Sequence, residues 1–185
     1  MFLDVDGVLL PFPRDDDDDD DDGGGKVHFP DRCLSALCRI MNSFKDSKIV
    51  LSSTWRCDPV AIEILLNNFR RYAKDNDRNG KVLGQIEEIT LTTNLAMHSI
   101  RQHEIVDFVQ RNLKKKDAWI ALDDDESVGA DKKYKHITKG RYIETISSKG
   151  LTMDDAEQAI QLLKAQLKSS CEDNVGKKKK RRRKI

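Results

Sequence analysis

Asp4 and Asp6 stand at the end of a short apolar run, Phe2-Leu3-Asp4-Val5-Asp6, and Gly7 follows at once. Residues two apart in an extended segment project to the same side, so the two carboxylates face one way. Two anions at the end of an apolar strand are costly unless a cation joins them or one takes a proton. A divalent metal resolves this most simply, and oxygen donors suit Mg²⁺. One carboxylate is then available as a nucleophile and the other as a general acid and base. Gly7 lets the chain leave the strand in a conformation other residues resist. Taken alone, D-x-D-G also fits a strand ending in an Asp-Gly turn, so the weight falls on what the rest of the chain supplies.

The rest of the chain alternates between strand and helix patterns. Pro30 to Phe44 reads as a helix with Leu34, Leu37, Ile40 and Met41 on one face, and Pro30-Asp31 suits its start. Ile49 to Leu51 is a strand. A helix from Asp58-Pro59 carries Val60, Ile62, Ile64, Leu65 and Phe69, and Asp75 to Gly80 is a loop. Ile89 to Leu91 is a candidate short strand and Arg101 to Leu113 a helix with Ile105, Phe108 and Val109 apolar. Trp119 to Leu122 and Tyr142 to Ile146 are strands, and Leu151 to Leu167 is the closing helix, with Thr152 an N-cap candidate ahead of Asp154 and Asp155. Such alternation predicts an α/β fold of three layers, Rossmann-like, with a mainly parallel central sheet. Sites in such folds lie at the carboxyl ends of the strands. Ser52-Ser53, Arg101 and Asp123-Asp124 all fall at those ends or at a helix start.

At 185 residues the chain suits one domain with a sizeable core. Residues 1–168 form that domain, with an acidic low-complexity insertion over residues 11–26, and residues 169–185 read as a disordered basic tail. Asp15 to Asp22 is a run of eight acids and Lys177 to Lys184 a run of eight bases; without them, 33 cations and 32 anions become 25 and 24. The near-neutral balance thus hides a polarised chain. No apolar run approaches the ~20 residues of a membrane helix. Met1 leads straight into the first strand, so no secretory leader is expected. Cys33, Cys38, Cys57 and Cys171 lack zinc-like spacing and suit a reducing compartment.

The motifs in order resemble the haloacid dehalogenase (HAD) superfamily. Phe2-Leu3-Asp4-Val5-Asp6-Gly7-Val8 is similar to its first motif. Lys48 to Arg56, an apolar strand ending in Ser52-Ser53-Thr54, resembles the second. Ser99 to Ile105, with Arg101 at a helix start, resembles the third, and Trp119 to Glu126 the fourth. More narrowly, the S-S-T-W-R, R-x-x-E-I, W-I-x-x-D-D and G-L-T segments resemble the small HAD domains of "Swiss-army-knife" RNA-repair proteins. The resemblance implies a HAD-like fold with little or no cap and a Mg²⁺-dependent phosphatase working through an aspartyl-phosphate. Asp4 would be the nucleophile and Asp6 the general acid and base, its backbone carbonyl also a metal ligand. Ser52 would bind a phosphoryl oxygen, with Ser53 the alternative. Arg101 would stabilise charge on the transferring group and on Asp4. Asp123 and Asp124 would hold the metal, with Asp125 a substitute for either. Arg56 would be a substrate-phosphate contact or, equally, a surface salt bridge.

Only three residues precede Asp4, whereas a central first strand usually has five or six; either residues precede Met1 or the domain is marginal. The octa-aspartate repels itself and reads as a solvated insertion, with screening of the site from polyanions, or pairing with the basic tail in cis, as the sharper alternative. The basic run reads as a nuclear localisation signal engaging the import machinery, or as a nucleic-acid arm restricted to phosphate contacts, since it has no aromatic residue. Nuclear location is therefore expected, with cytoplasmic as the alternative. His98 and His103, five apart, do not share a helix face, and Trp55 reads as core or rim. The expected substrates are phosphate esters, nucleotide and nucleic-acid ends among them. The rivals are a catalytically degenerate HAD-derived nuclear binding or regulatory module, and phosphotransfer to an acceptor other than water.

Overall fold

Parallel strands buried on both faces read as near-continuous apolar runs, and the four strands of this chain follow that rule except where Asp123 and Glu144 end two of them. In the computed structural model, which describes residues 1–12, 27–76, 80–94 and 100–182 (side chains to residue 169), they are β1 (Phe2–Leu3), β2 (Val50–Leu51), β3 (Ala121–Asp123) and β4 (Tyr142–Glu144). The sheet order is β2-β1-β3-β4, all parallel. β1 is central despite its length. The amide of Phe2 donates to Ile120 O (2.8 Å), that of Val50 to Met1 O (2.7 Å) and that of Asp4 to Leu122 O (3.0 Å), so pairing reaches past both its ends.

Helices cover the sheet on both sides. α1 (Asp31–Ser43) buries Cys33, Leu34, Leu37, Ile40 and Met41, one stripe at helical spacing. α2 (Pro59–Asp75) starts where Asp58 Oδ1 accepts from the Val60 amide (2.8 Å) and Pro59 takes the first turn. α3 (Lys81–Gly84) is a single turn beside it. These pack with Leu3, Leu51, Leu122 and Ile143 into the larger core. On the opposite face, α4 (Arg101–Asn112) brings Ile105 and Phe108 against Phe2, Val50, Ala121 and Trp119. Phe2 meets Phe108 and Trp119 edge-on, with centroids 5.4 and 5.5 Å apart. α5 (Lys135–Thr138) precedes β4, and α6 (Met153–Arg182) closes the larger core through Ala156, Ala159 and Ile160. The fold is the expected three-layer α/β arrangement.

The start of α6 is tied to the loop after β1. Thr152 Oγ1 accepts from the Asp155 amide (3.2 Å) while Asp155 Oδ2 accepts from the Thr152 amide (2.9 Å), a reciprocal cap. Leu151 N donates to Val8 O (2.7 Å). Gly150, at φ +67°, sits where a Cβ would lie 2.8 Å from both Val8 O and Cys33 Sγ.

Some expectations change. Ile89 to Leu91 is not a ladder strand: the segment makes one parallel bridge, Leu51 to Thr92, on the outer edge of β2. Two backbone bonds, Leu51 N to Leu91 O and Thr93 N to Leu51 O, carry it, too few to extend pairing. The closing helix runs past Leu167 to Arg182, into residues read from composition as a disordered tail; Lys and Arg are good helix formers, and no proline interrupts the stretch. The acidic run Asp15 to Asp22, His98, Ser99, Arg183 and Lys184 lie outside the described residues. No described helix is long and apolar enough to cross a membrane.

Candidate active site

Alternation along the strands decides which groups meet. Phe2, Val50 and Ala121 face α4, so Asp4, Ser52 and Asp123, each two residues further on, share that face. The pairs Leu3–Leu51 and Leu3–Leu122 set the register, which places the three in one row across the carboxyl ends. Arg101, the first residue of α4, lies against that row. Its Nη2 stands 3.5 Å from Asp4 Oδ1 and its Nε 3.2 Å from Asp123 Oδ2. The second contact is ionic rather than a well-aligned hydrogen bond, since neither atom has a hydrogen-bond partner.

Gly7 brings the fourth motif in close. At φ +68° it takes a backbone conformation that side chains resist, and a Cβ there would collide with the Asp124 carboxylate. Thr145 Oγ1 donates to Gly7 O (2.9 Å), holding the turn from the β4 side. Carboxylate oxygens of Asp4, Asp123 and Asp124 consequently converge within 4.8 Å of one another. Asp125 is turned elsewhere: its carboxylate caps the following 3₁₀ turn by accepting from the Ser127 amide (2.8 Å), and its own amide donates to Asp123 Oδ1 (3.1 Å).

Crowding of buried anions shows in their proton affinities. Burial pushes Asp4 up to about 6; Arg101, the Ser53 hydroxyl and the Val5 amide pull it down, while Asp124 adds to the rise. Asp123 is pushed up to about 7, by burial first and repulsion from Asp4 second. Asp124 is also raised, chiefly by burial. A divalent cation relieves all three at once, and Asp123 Oδ2, which makes no hydrogen bond and only the ionic contact with Arg101, is an oxygen donor of the right kind. The donor set fits Mg²⁺.

Asp6 is held separately. Its Oδ2 accepts from the Trp55 indole Nε1 (3.0 Å), and the Trp55 ring leans on Phe29 with centroids 5.7 Å apart. Trp55, read from sequence as core or rim, orients the second aspartate of the first motif. Ser52 and Ser53 are both fully buried. The Ser53 hydroxyl bonds Asp4 and its oxygen accepts from the Trp55 amide (3.4 Å). Ser52 Oγ is buried with no hydrogen-bond partner among the described residues, on Asp4's face of the sheet.

Arg56 is not a surface salt bridge: its side chain is 3% exposed, and its guanidinium is engaged inside the protein. Nη1 donates to the carbonyls of Ser52 and Ser53, and Nη2 pairs with Glu104 at 2.9 Å. The 3₁₀ turn Thr54–Cys57 curls the chain back, placing Arg56 behind the two serines rather than in front of them. Glu104 had no role assigned from sequence. The signal was present in R-x-x-E: three residues along a helix share a face, so Glu104 returns to Arg101.

Residues 1–156 match the family described as "HAD domain in Swiss Army Knife RNA repair proteins". Neither curated proteins nor solved structures gave a match. The all-parallel sheet, ordered β2-β1-β3-β4, is consistent with that match. The chain belongs to the HAD family, whose members include phosphatases and other hydrolases, in the group of HAD domains found in Swiss Army Knife RNA repair proteins.

Proposed function

We propose that the chain is a Mg²⁺-dependent phosphohydrolase that works through an aspartyl-phosphate on Asp4. The observation that carries this reading is the convergence of Asp4, Asp123 and Asp124 within 4.8 Å beside the Arg101 guanidinium. Asp4, Asp123, Asp124 and the backbone carbonyl of Asp6 would hold Mg²⁺, which when bound offsets negative charge on the phosphoryl group and the carboxylates. An Asp4 carboxylate oxygen attacks phosphorus, and the bond from phosphorus to the ester oxygen breaks. Asp6 gives its proton to that departing oxygen, with the Trp55 indole fixing the orientation of the carboxyl. Asp6 then takes a proton from water, the water oxygen attacks phosphorus, and inorganic phosphate leaves with Asp4 restored. Arg101 spreads positive charge along the transferring group. The buried, unpartnered Ser52 hydroxyl supports a role in receiving a phosphoryl oxygen.

The substrates proposed are phosphate ends of nucleotides or nucleic acids, supported by the family's description and by the cationic run from Lys177 to Lys184. That run is also proposed as a nuclear address; deleting it should make a fluorescent fusion lose nuclear accumulation. The activity is tested by phosphate release from an aryl phosphate, nucleotides and 5′- or 3′-phosphorylated oligonucleotides, with and without Mg²⁺, beside Asp4→Asn. Release that needs both Mg²⁺ and Asp4 supports the reading. A folded wild-type protein that releases nothing contradicts it.

A further inference from the structure

Glu104 is a buried acid that the reaction above does not use. Its Oε2 receives Arg56 Nη2 at 2.9 Å, Thr93 Oγ1 at 3.3 Å and Arg101 Nη1 at 3.4 Å. Arg101 therefore presents three different nitrogens to three different carboxylates: Nη2 to Asp4, Nε to Asp123 and Nη1 to Glu104. A planar guanidinium held at three points cannot rotate about its stem. Two of those points belong to the reacting cluster, and the third lies outside it. From that third point the connection continues through Arg56 to the carbonyls of Ser52 and Ser53, the backbone of the second motif.

Charge explains why two arginines are needed. Had Glu104 faced Arg101 alone, it would draw the guanidinium away from Asp4 and Asp123. Arg56, 3% exposed and paired at shorter distance, satisfies Glu104 first and leaves Arg101 its positive charge for the cluster. Thr93, on the segment bridged to β2, adds a neutral donor to the same oxygen.

We propose that Glu104 and Arg56 are positioning residues: a buried ion pair that fixes the plane of Arg101 across Asp4 and Asp123 and locks the second-motif backbone to it. This rests on the phosphohydrolase reading. The chemistry stays with Asp4, Asp6 and Arg101, and the pair acts on it through Arg101.

The test is a double-mutant cycle on the full chain, with Mg²⁺ and an aryl phosphate. Glu104→Gln keeps the shape and removes the charge, and should lower kcat by ~10- to 100-fold with KM changed less than about threefold, the scale seen when a group supporting a site residue is lost. In an Arg101→Lys background, which lacks the planar fork, the same Glu104→Gln change should cost less than about threefold, because its effect runs through the fork. Equal losses in both backgrounds, or a rise in KM alone, overturn the proposal. Should Glu104→Gln fail to fold by thermal melt, Thr93→Val reports instead. It removes one donor to the same oxygen and no charge, and should lower kcat by ~2- to 10-fold in wild type and leave the Arg101→Lys background unchanged; an equal effect in both overturns the proposal. Asp4→Asn is run alongside. Activity persisting in that variant would reject the phosphohydrolase reading itself, whereas an inactive Asp4→Asn with a fully active Glu104→Gln rejects only the positioning role.

Discussion

Raising pH in the absence of a divalent cation should selectively weaken this protein at its carboxylate cluster. Asp4 moves from 3.8 to about 6 and Asp123 from 3.8 to about 7 on folding, both mainly through burial. Between pH 4 and 7 the native state therefore binds more protons at these sites than the unfolded chain does, and their contribution to stability falls as pH rises. A shift of one unit corresponds to about 1.4 kcal/mol. Burial dominates both shifts and Asp4 adds repulsion to Asp123, so by pH 8 the loss is on the order of 3 kcal/mol at Asp4 and about 4 kcal/mol at Asp123. The Met1 amino group, lowered from 8.0 to about 5 by burial, has the opposite slope over pH 5 to 8, so total stability is not the readout. The difference between Mg²⁺ and EDTA is, since Met1 contributes equally to both. Urea unfolding at pH 5 and pH 8 should show a small Mg²⁺ stabilisation at the lower pH and one of several kcal/mol at the higher. Asp123→Asn, which keeps the oxygen that accepts from the Asp125 amide, should be more stable than wild type at pH 8 in EDTA and indifferent to Mg²⁺. An equal Mg²⁺ effect at the two pH values, or an Asp123→Asn variant less stable than wild type under those conditions, would refute the reasoning.

Gly7→Ala drives a methyl into the Asp124 carboxylate at φ +68°, so it should cost about 1–3 kcal/mol in unfolding free energy and weaken Mg²⁺ binding by calorimetric titration. Trp55→Phe removes the 3.0 Å hydrogen bond to Asp6 while keeping an aromatic ring against Phe29; kcat should fall by ~10-fold, with the melting temperature nearly unchanged. Thr152→Ala breaks the reciprocal cap of α6 far from the chemistry, and should lower stability by about 1 kcal/mol with kcat intact.

The architecture was legible because its elements are long or strongly patterned. The α1 stripe from Cys33 to Met41 and the Asp58-Pro59 start of α2 act through short-range rules that tertiary packing only reinforces. Ile89 to Leu91 misled because β-branched residues fit a strand, yet whether a strand forms depends on a partner edge, and β2 offers it one bridge. At the site, Asp4, Arg101 and the Asp123-Asp124 pair could be named from sequence, since their types and positions at element ends declare them. What their neighbours do could not be read so directly. Arg56 follows the two serines in the chain, and only the 3₁₀ turn after them sends its guanidinium back beneath their carbonyls. Trp55 looks like a packing residue until the fold brings its indole 3.0 Å from Asp6, a contact spanning 49 positions.

The most direct measurement is chemical trapping of the phosphoenzyme. Enzyme quenched in acid during turnover of a phosphate ester, then treated with hydroxylamine and digested, should carry a hydroxamate on the peptide containing Asp4, and the mark should vanish in Asp4→Asn. Turnover with no modified carboxylate, or with the mark on Asp6, Asp123 or Asp124 instead, would contradict the account.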